Sequence, residues 1–157
     1  MTQILIDNSN SITETVLFYR SEDYAFYVEP VPTNAANSLS IDTLELCIDE
    51  TDSRVVHVWG FCPYTAWKRA SLKPPNSKRA VLRVADVQLK PGIVVKLPPD
   101  EIWPEYVDAS NGWVCIGDPV AQGEAIEFAP DSVAVINRGQ LLALWLHPRE
   151  LPKEISS

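Results

Sequence analysis

The chain has 157 residues, of which 46% are hydrophobic and 22% charged, with a formal net charge of −8 and a pI near 4.7. This length and composition point to one soluble globular domain and exclude disorder over most of the chain. The acidic balance argues against binding nucleic acid with the whole surface.

The spacing of apolar residues is mostly two, the period of a half-buried strand. Val16–Tyr19 and Tyr24–Val28 flank Arg20-Ser21-Glu22-Asp23 and predict a hairpin. Residues 30–40 read as a loop by composition. Leu44, Leu46 and Ile48 alternate with Glu45, Cys47 and Asp49, the run 49–53 is a turn, and Val55–Trp59 returns as a second hairpin strand. Cys62–Ala70 predicts one short helix, with Pro63 near its first position and Lys68 and Arg69 in its last turn. Residues 70–79 are a loop stiffened by Pro74-Pro75.

Val81–Leu89 and Ile93–Leu97 predict a hairpin through a type II turn at Lys90-Pro91-Gly92-Ile93. Pro98–Tyr106, punctuated by proline, reads as a loop. Trp113–Gly117, Ala125–Ala129, Ser132–Asn137 and Gln140–His147 predict a four-strand meander. Its turns are Ala129-Pro130-Asp131-Ser132 and a three-residue loop, Asn137-Arg138-Gly139, with the glycine left-handed. Residues 151–157 read as a flexible tail. The expected fold is mainly β in a single domain over 1–157, either a partly open barrel or a two-layer sandwich with one short helix. An α+β arrangement is the alternative.

Targeting signals are missing from the first residues, which have no basic region followed by an apolar run. No window reaches the 18 apolar residues of a membrane-spanning helix. Three cysteines, an odd number, suit a reducing cytoplasm better than a disulfide framework. The expected location is therefore cytoplasmic, with no membrane partner.

Neither glycine-rich phosphate-binding motif is present, and six glycines are scattered along the chain. No Cys-x-x-Cys or His-x-x-x-His pair occurs, so no metal and no cofactor are expected. An enzyme would draw on Cys62, His57, His147, Asp100 and Glu101. Cys62 before a helix N-terminus has one condition for a lowered thiol pKa, and a histidine could supply the base. Asp100 and Glu101 beside Trp103 pair carboxylates with an aromatic platform, as sugar hydrolysis does. For each of these residues a packed or solvated structural role competes with the catalytic one.

Charge along the chain is sorted by position. Residues 68–96 hold eight bases and one acid, or +7. Residues 1–67 and 97–137 each carry −8, and the remainder carries +1. The basic segment, with Lys68, Arg69, Lys73, Lys78, Arg79 and Arg83 beside Tyr64 and Trp67, could dock an acidic protein face. It could also stack and pair with single-stranded nucleic acid, although the acidic flanks would repel a long phosphate backbone. A third reading has the island neutralised by the chain's own acids. The reading adopted from sequence is a non-enzymatic adaptor or inhibitor-like protein. It meets an acidic partner, or a second copy of itself, through residues 68–83. A small barrel enzyme or ligand-binding protein is the first alternative and a weak single-strand nucleic-acid binder the second.

Overall fold

The computed structural model describes residues 3–9, 11–33, 35, 37–85, 94–97 and 103–156. Strand β1 (Gln3–Asp7) opens the chain. The first predicted hairpin is β2 (Val16–Arg20) and β3 (Ala25–Glu29), antiparallel, with a single 3-10 turn at its tip. Strands β4 (Asn37–Ile41), β5 (Leu44–Ile48) and β6 (Val55–Phe61) follow as an antiparallel run. The predicted β5–β6 hairpin is present. The expected loop ends early, because Asn37–Ile41 is a strand whose Leu39 and Ile41 are buried.

No α-helix forms at Cys62–Ala70. A 3-10 turn at Tyr64–Ala66 is all the helical structure there, closed by the Trp67 amide donating to the Tyr64 carbonyl at 3.1 Å. Trp67 then adopts extended backbone and buries its ring, which draws the next two residues into β7 (Lys68–Arg69). The later strands are β8 (Lys78–Arg79), β9 (Val81–Ala85), β10 (Val94–Lys96), β11 (Glu105–Val107), β12 (Val114–Gly117), β13 (Glu124–Ala129), β14 (Ser132–Asn137) and β15 (Gln140–Leu146). The one α-helix among the described residues, α1 (Lys153–Ser156), lies where a flexible tail was expected, and Ile155 within it is buried in the core.

The strands form three sheets. β1 pairs with β9, a six-stranded sheet runs β10-β4-β5-β6-β3-β2, and a seven-stranded sheet runs β7-β11-β12-β15-β14-β13-β8. The architecture is mainly β and sandwich-like, with sheets that do not close into a barrel. β9 and β10 are not hairpin partners. β9 pairs with β1, and β10 lies parallel to β4. The turn proposed at 90–93 lies outside the described residues. The four-strand meander is also corrected. β13, β14 and β15 are consecutive neighbours, but β12 joins the far side of β15 in Greek-key order. The β14–β15 loop has two residues, Arg138 and Gly139, because Asn137 and Gln140 already pair. Both have positive φ, 53° and 76°, the geometry whose twist matches flanking strands.

The main core draws on all three sheets, with Leu39, Leu46, Phe26, Ile116, Phe128, Leu144 and Leu146 among its members. Strands β12, β14 and β15 are apolar on both faces. Val114, Ile116, Ala134, Ile136, Leu144 and Leu146 face that core. The alternating residues Cys115, Val133, Val135, Ala143 and Trp145 form a second cluster on the other face, and Leu72 covers it. A strand apolar on both faces needs a layer on each. Here the second layer is a strap made of residues 70–77.

That strap is the structural role of the basic segment. β7 and β8, both Lys-Arg, are the two edges of the seven-stranded sheet, and each pairs parallel with its neighbour. The chain between them crosses the outer face. The Leu72 amide donates to Asp108 Oδ2 at 2.9 Å, and Asn111 Nδ2 donates to the Leu72 carbonyl at 2.9 Å. Ala70 N–H donates to the Val107 carbonyl at 2.9 Å. Short edge strands bearing charge also guard a sheet against pairing with another chain.

Candidate functional site

The three described catalytic candidates have separate surroundings. Cys62 is buried, and its Sγ donates to Glu105 Oε1 at 3.7 Å. Burial, reinforced by the Glu105 charge, pushes its thiol well above the usual range, the opposite of an activated nucleophile. The helix N-terminus that was to lower it does not exist. Glu105 is itself shifted up, by burial first and by Asp42 second.

His57 lies on β6 with Nδ1 unpartnered. Its register partner is Cys47, and burial lowers its pKa from 6.5 to about 4. His147, just past the end of β15, has Nδ1 3.9 Å from Asp131 Oδ1 and Nε2 3.0 Å from the Asn111 carbonyl. Its ring rests on Trp113 at 4.8 Å. Asp100 and Glu101 lie outside the described residues. Among the described residues no group of three or more His, Cys, Asp or Glu could hold a metal ion.

The basic residues are largely engaged by the chain itself. Arg79 Nε is 2.9 Å from Glu127 and its Nη1 3.1 Å from Glu14. Arg83 Nε is 3.1 Å from Asp7, and its Nη1 donates to the Asp52 carbonyl at 2.9 Å. Lys78 Nζ donates to Asn8 Oδ1 at 3.1 Å, and Arg69 donates to the Glu154 carbonyl at 3.0 Å. Lys68 and Lys73 are exposed and make no ion pair among the described residues. Trp67, expected at a partner surface, is 7% exposed and packs against Tyr19 and Phe26 at 4.9 and 5.9 Å.

What stands open is an aromatic surface on the outer face of the six-stranded sheet. Trp59 and Phe61 project from β6 on the face opposite buried Val58, and they are 41% and 48% exposed. Gly60 between them has φ 120°, and a Cβ there would lie 3.2 Å from the Thr43 carbonyl. A larger residue would therefore disturb the strand backbone between the two rings. Thr43 Oγ1 donates to the Phe61 carbonyl at 2.6 Å and fixes the end of the strand.

Tyr24, 39% exposed, meets Phe61 edge-on at 6.3 Å and stacks on Tyr64 at 5.6 Å. Its φ is 53°, a left-handed conformation that costs an L-residue about 1 kcal/mol. The Cys62 amide, donating to the Tyr24 carbonyl at 2.8 Å, holds the backbone there. Tyr64 is held in turn by its own amide, which donates to the Tyr19 hydroxyl at 2.9 Å.

On the same sheet face Phe18 stacks on Tyr27 at 5.2 Å, and the Arg20 guanidinium lies over the Tyr27 ring at 4.6 Å. Of these residues only Tyr64 was marked as a contact from the sequence. The signal available for the others was the two-residue spacing of Trp59 and Phe61, on the face away from Val58.

No protein-family model matches the chain, and a search of curated proteins returns no significant match. The class of protein is therefore defined by the fold alone: a mainly β, sandwich-like domain. Among the described residues no helix is long and apolar enough to cross a membrane.

Proposed function

We propose that this chain is a non-enzymatic recognition module that contacts a protein partner through Tyr24, Trp59, Phe61 and Tyr64. The observation that carries the reading is the exposure of Tyr24, Trp59 and Phe61 beside half-buried Tyr64, with Tyr24 held in a left-handed backbone. Exposed Trp and Tyr on a rigid sheet are the usual anchors of protein interfaces. A Cys62 thiol pushed up by burial and a His57 ring whose pKa burial lowers support this reading over the enzyme alternative.

This reading puts the contact elsewhere than the basic segment expected from sequence. An acidic partner at residues 68–83 would compete with Glu14, Glu127 and Asp7 for Arg79 and Arg83. Lys68 and Lys73 are what the basic segment still offers such a partner. The test is tagged capture from a lysate of the native host, comparing wild type with a Trp59→Ala/Phe61→Ala double variant. Loss of a stoichiometric protein, with the circular dichroism spectrum unchanged, supports the reading. Undiminished capture by the double variant overturns it.

A further inference from the structure

We infer that the partner segment received by this aromatic surface is basic, an arginine-bearing peptide segment rather than an acidic one. The inference rests on the recognition reading above and adds the chemistry of the partner. Carboxylates neighbour the rings along the chain and across the strands. Glu22 and Asp23 immediately precede Tyr24 and are exposed. Glu45 is the cross-strand partner of Trp59. Asp42 occupies the exposed turn next to Thr43, whose hydroxyl binds the Phe61 carbonyl. Glu154 acts electrostatically on Tyr64.

The cations near the rings are mostly committed. Arg20 pairs with Asp23 at 3.4 Å and covers Tyr27. The Arg69 guanidinium is bound to the Glu154 carbonyl, and Lys68 is left exposed. Negative potential over aromatic faces favours a guanidinium, which stacks on a ring while its N–H groups reach carboxylates. The Arg20–Tyr27–Asp23 arrangement on the same sheet face is an intramolecular instance of that contact. A second copy of this chain is the poorer occupant, because it also carries −8 and its Arg79 and Arg83 are already paired. An acidic segment would meet the neighbouring carboxylates and be repelled.

The experiment uses the full chain and fluorescence anisotropy with three labelled peptides, built from Arg-Gly-Ser, Glu-Gly-Ser and Leu-Gly-Ser repeats. The Arg peptide is expected to bind and the Glu peptide not to. Trp59→Ala/Phe61→Ala should weaken Arg-peptide binding about tenfold, the scale of losing anchoring aromatics. Asp42→Asn/Glu45→Gln, which leaves every ring in place, should weaken it several-fold and flatten its salt dependence.

Equal affinity of the Arg peptide for wild type and both variants would mean diffuse charge attraction and overturn the inference. Binding of the Glu or Leu peptide that is lost in Trp59→Ala/Phe61→Ala would overturn the basic partner while leaving the recognition surface standing. No peptide sensitive to that double variant, together with undiminished lysate capture, would remove both.

Discussion

The basic segment at 68–83, with its strap at 70–77, and the aromatic surface at Tyr24, Trp59, Phe61 and Tyr64 face solvent in opposite ways. The basic segment is crowded with cations, yet Arg79 and Arg83 are held by carboxylates on other segments, and Leu72 in the strap is clamped at both its amide and its carbonyl. Among the described residues no cation stacks on the four rings of the aromatic surface, and Trp59 and Phe61 keep nearly half their area in water. The contrast shows how a chain of sorted charge folds. Arg79 and Arg83 find their opposite charges on other segments. Trp59 and Phe61 stay in water, and exposed apolar patches are where other molecules bind.

Strand β6 joins the two situations, since it buries His57 and exposes Trp59 two residues later. The largest expected effect is there. The folded-state pKa of His57 is depressed from 6.5 to about 4, so the native state resists protonating it. Its contribution is fully present above pH 6.5 and is lost as pH falls towards 4, by about 3 kcal/mol. His57→Leu should remove this component, so urea midpoints at pH 7 and pH 4 should differ less in the variant than in wild type.

Next in size is Leu72→Ala. Truncating this buried strap residue should cost about 2–3 kcal/mol in urea unfolding at pH 7. A negligible loss would mean that the strap merely rests on the sheet. Removing one of the anchoring charges should matter less. Arg79 is about half exposed, so Arg79→Ala should cost under about 1 kcal/mol by the same assay. The smallest stability effect belongs to the aromatic surface. Phe61→Ala should shift unfolding by only a few tenths of a kcal/mol, as exposed substitutions generally do. Its capture of a partner should nevertheless fall sharply.

Much of the strand content was legible because it rests on local pattern. Leu44–Ile48 alternates, while Val55–Trp59 and the strands from Ser132 onward are short apolar runs bounded by turns that carry the required residues. What failed depended on distant partners. Cys62–Ala70 resembles a helix start locally, but burying the Trp67 ring and pairing Lys68–Arg69 with β11 favour extended backbone. β12 was assigned to a meander because loop lengths do not reveal that it lies beyond β15.

The candidate site was less legible than the fold. Charge sorting drew attention to residues 68–83 and left open whether their counter-ions lay inside the chain. Tyr24 joins Phe61 and Tyr64 only through the turn between β2 and β3, and no pattern in the sequence marks its left-handed backbone.

The division between brace and contact is tested most directly by one head-to-head capture from host lysate. Wild type is compared with Trp59→Ala/Phe61→Ala and with Lys68→Glu/Lys73→Glu, which reverses the two lysines of the basic segment that have no ion pair among the described residues. The account predicts that the aromatic variant loses the partner and the lysine variant keeps it. Retention by the aromatic variant together with loss by the lysine variant would contradict it, and would return the contact to the basic segment.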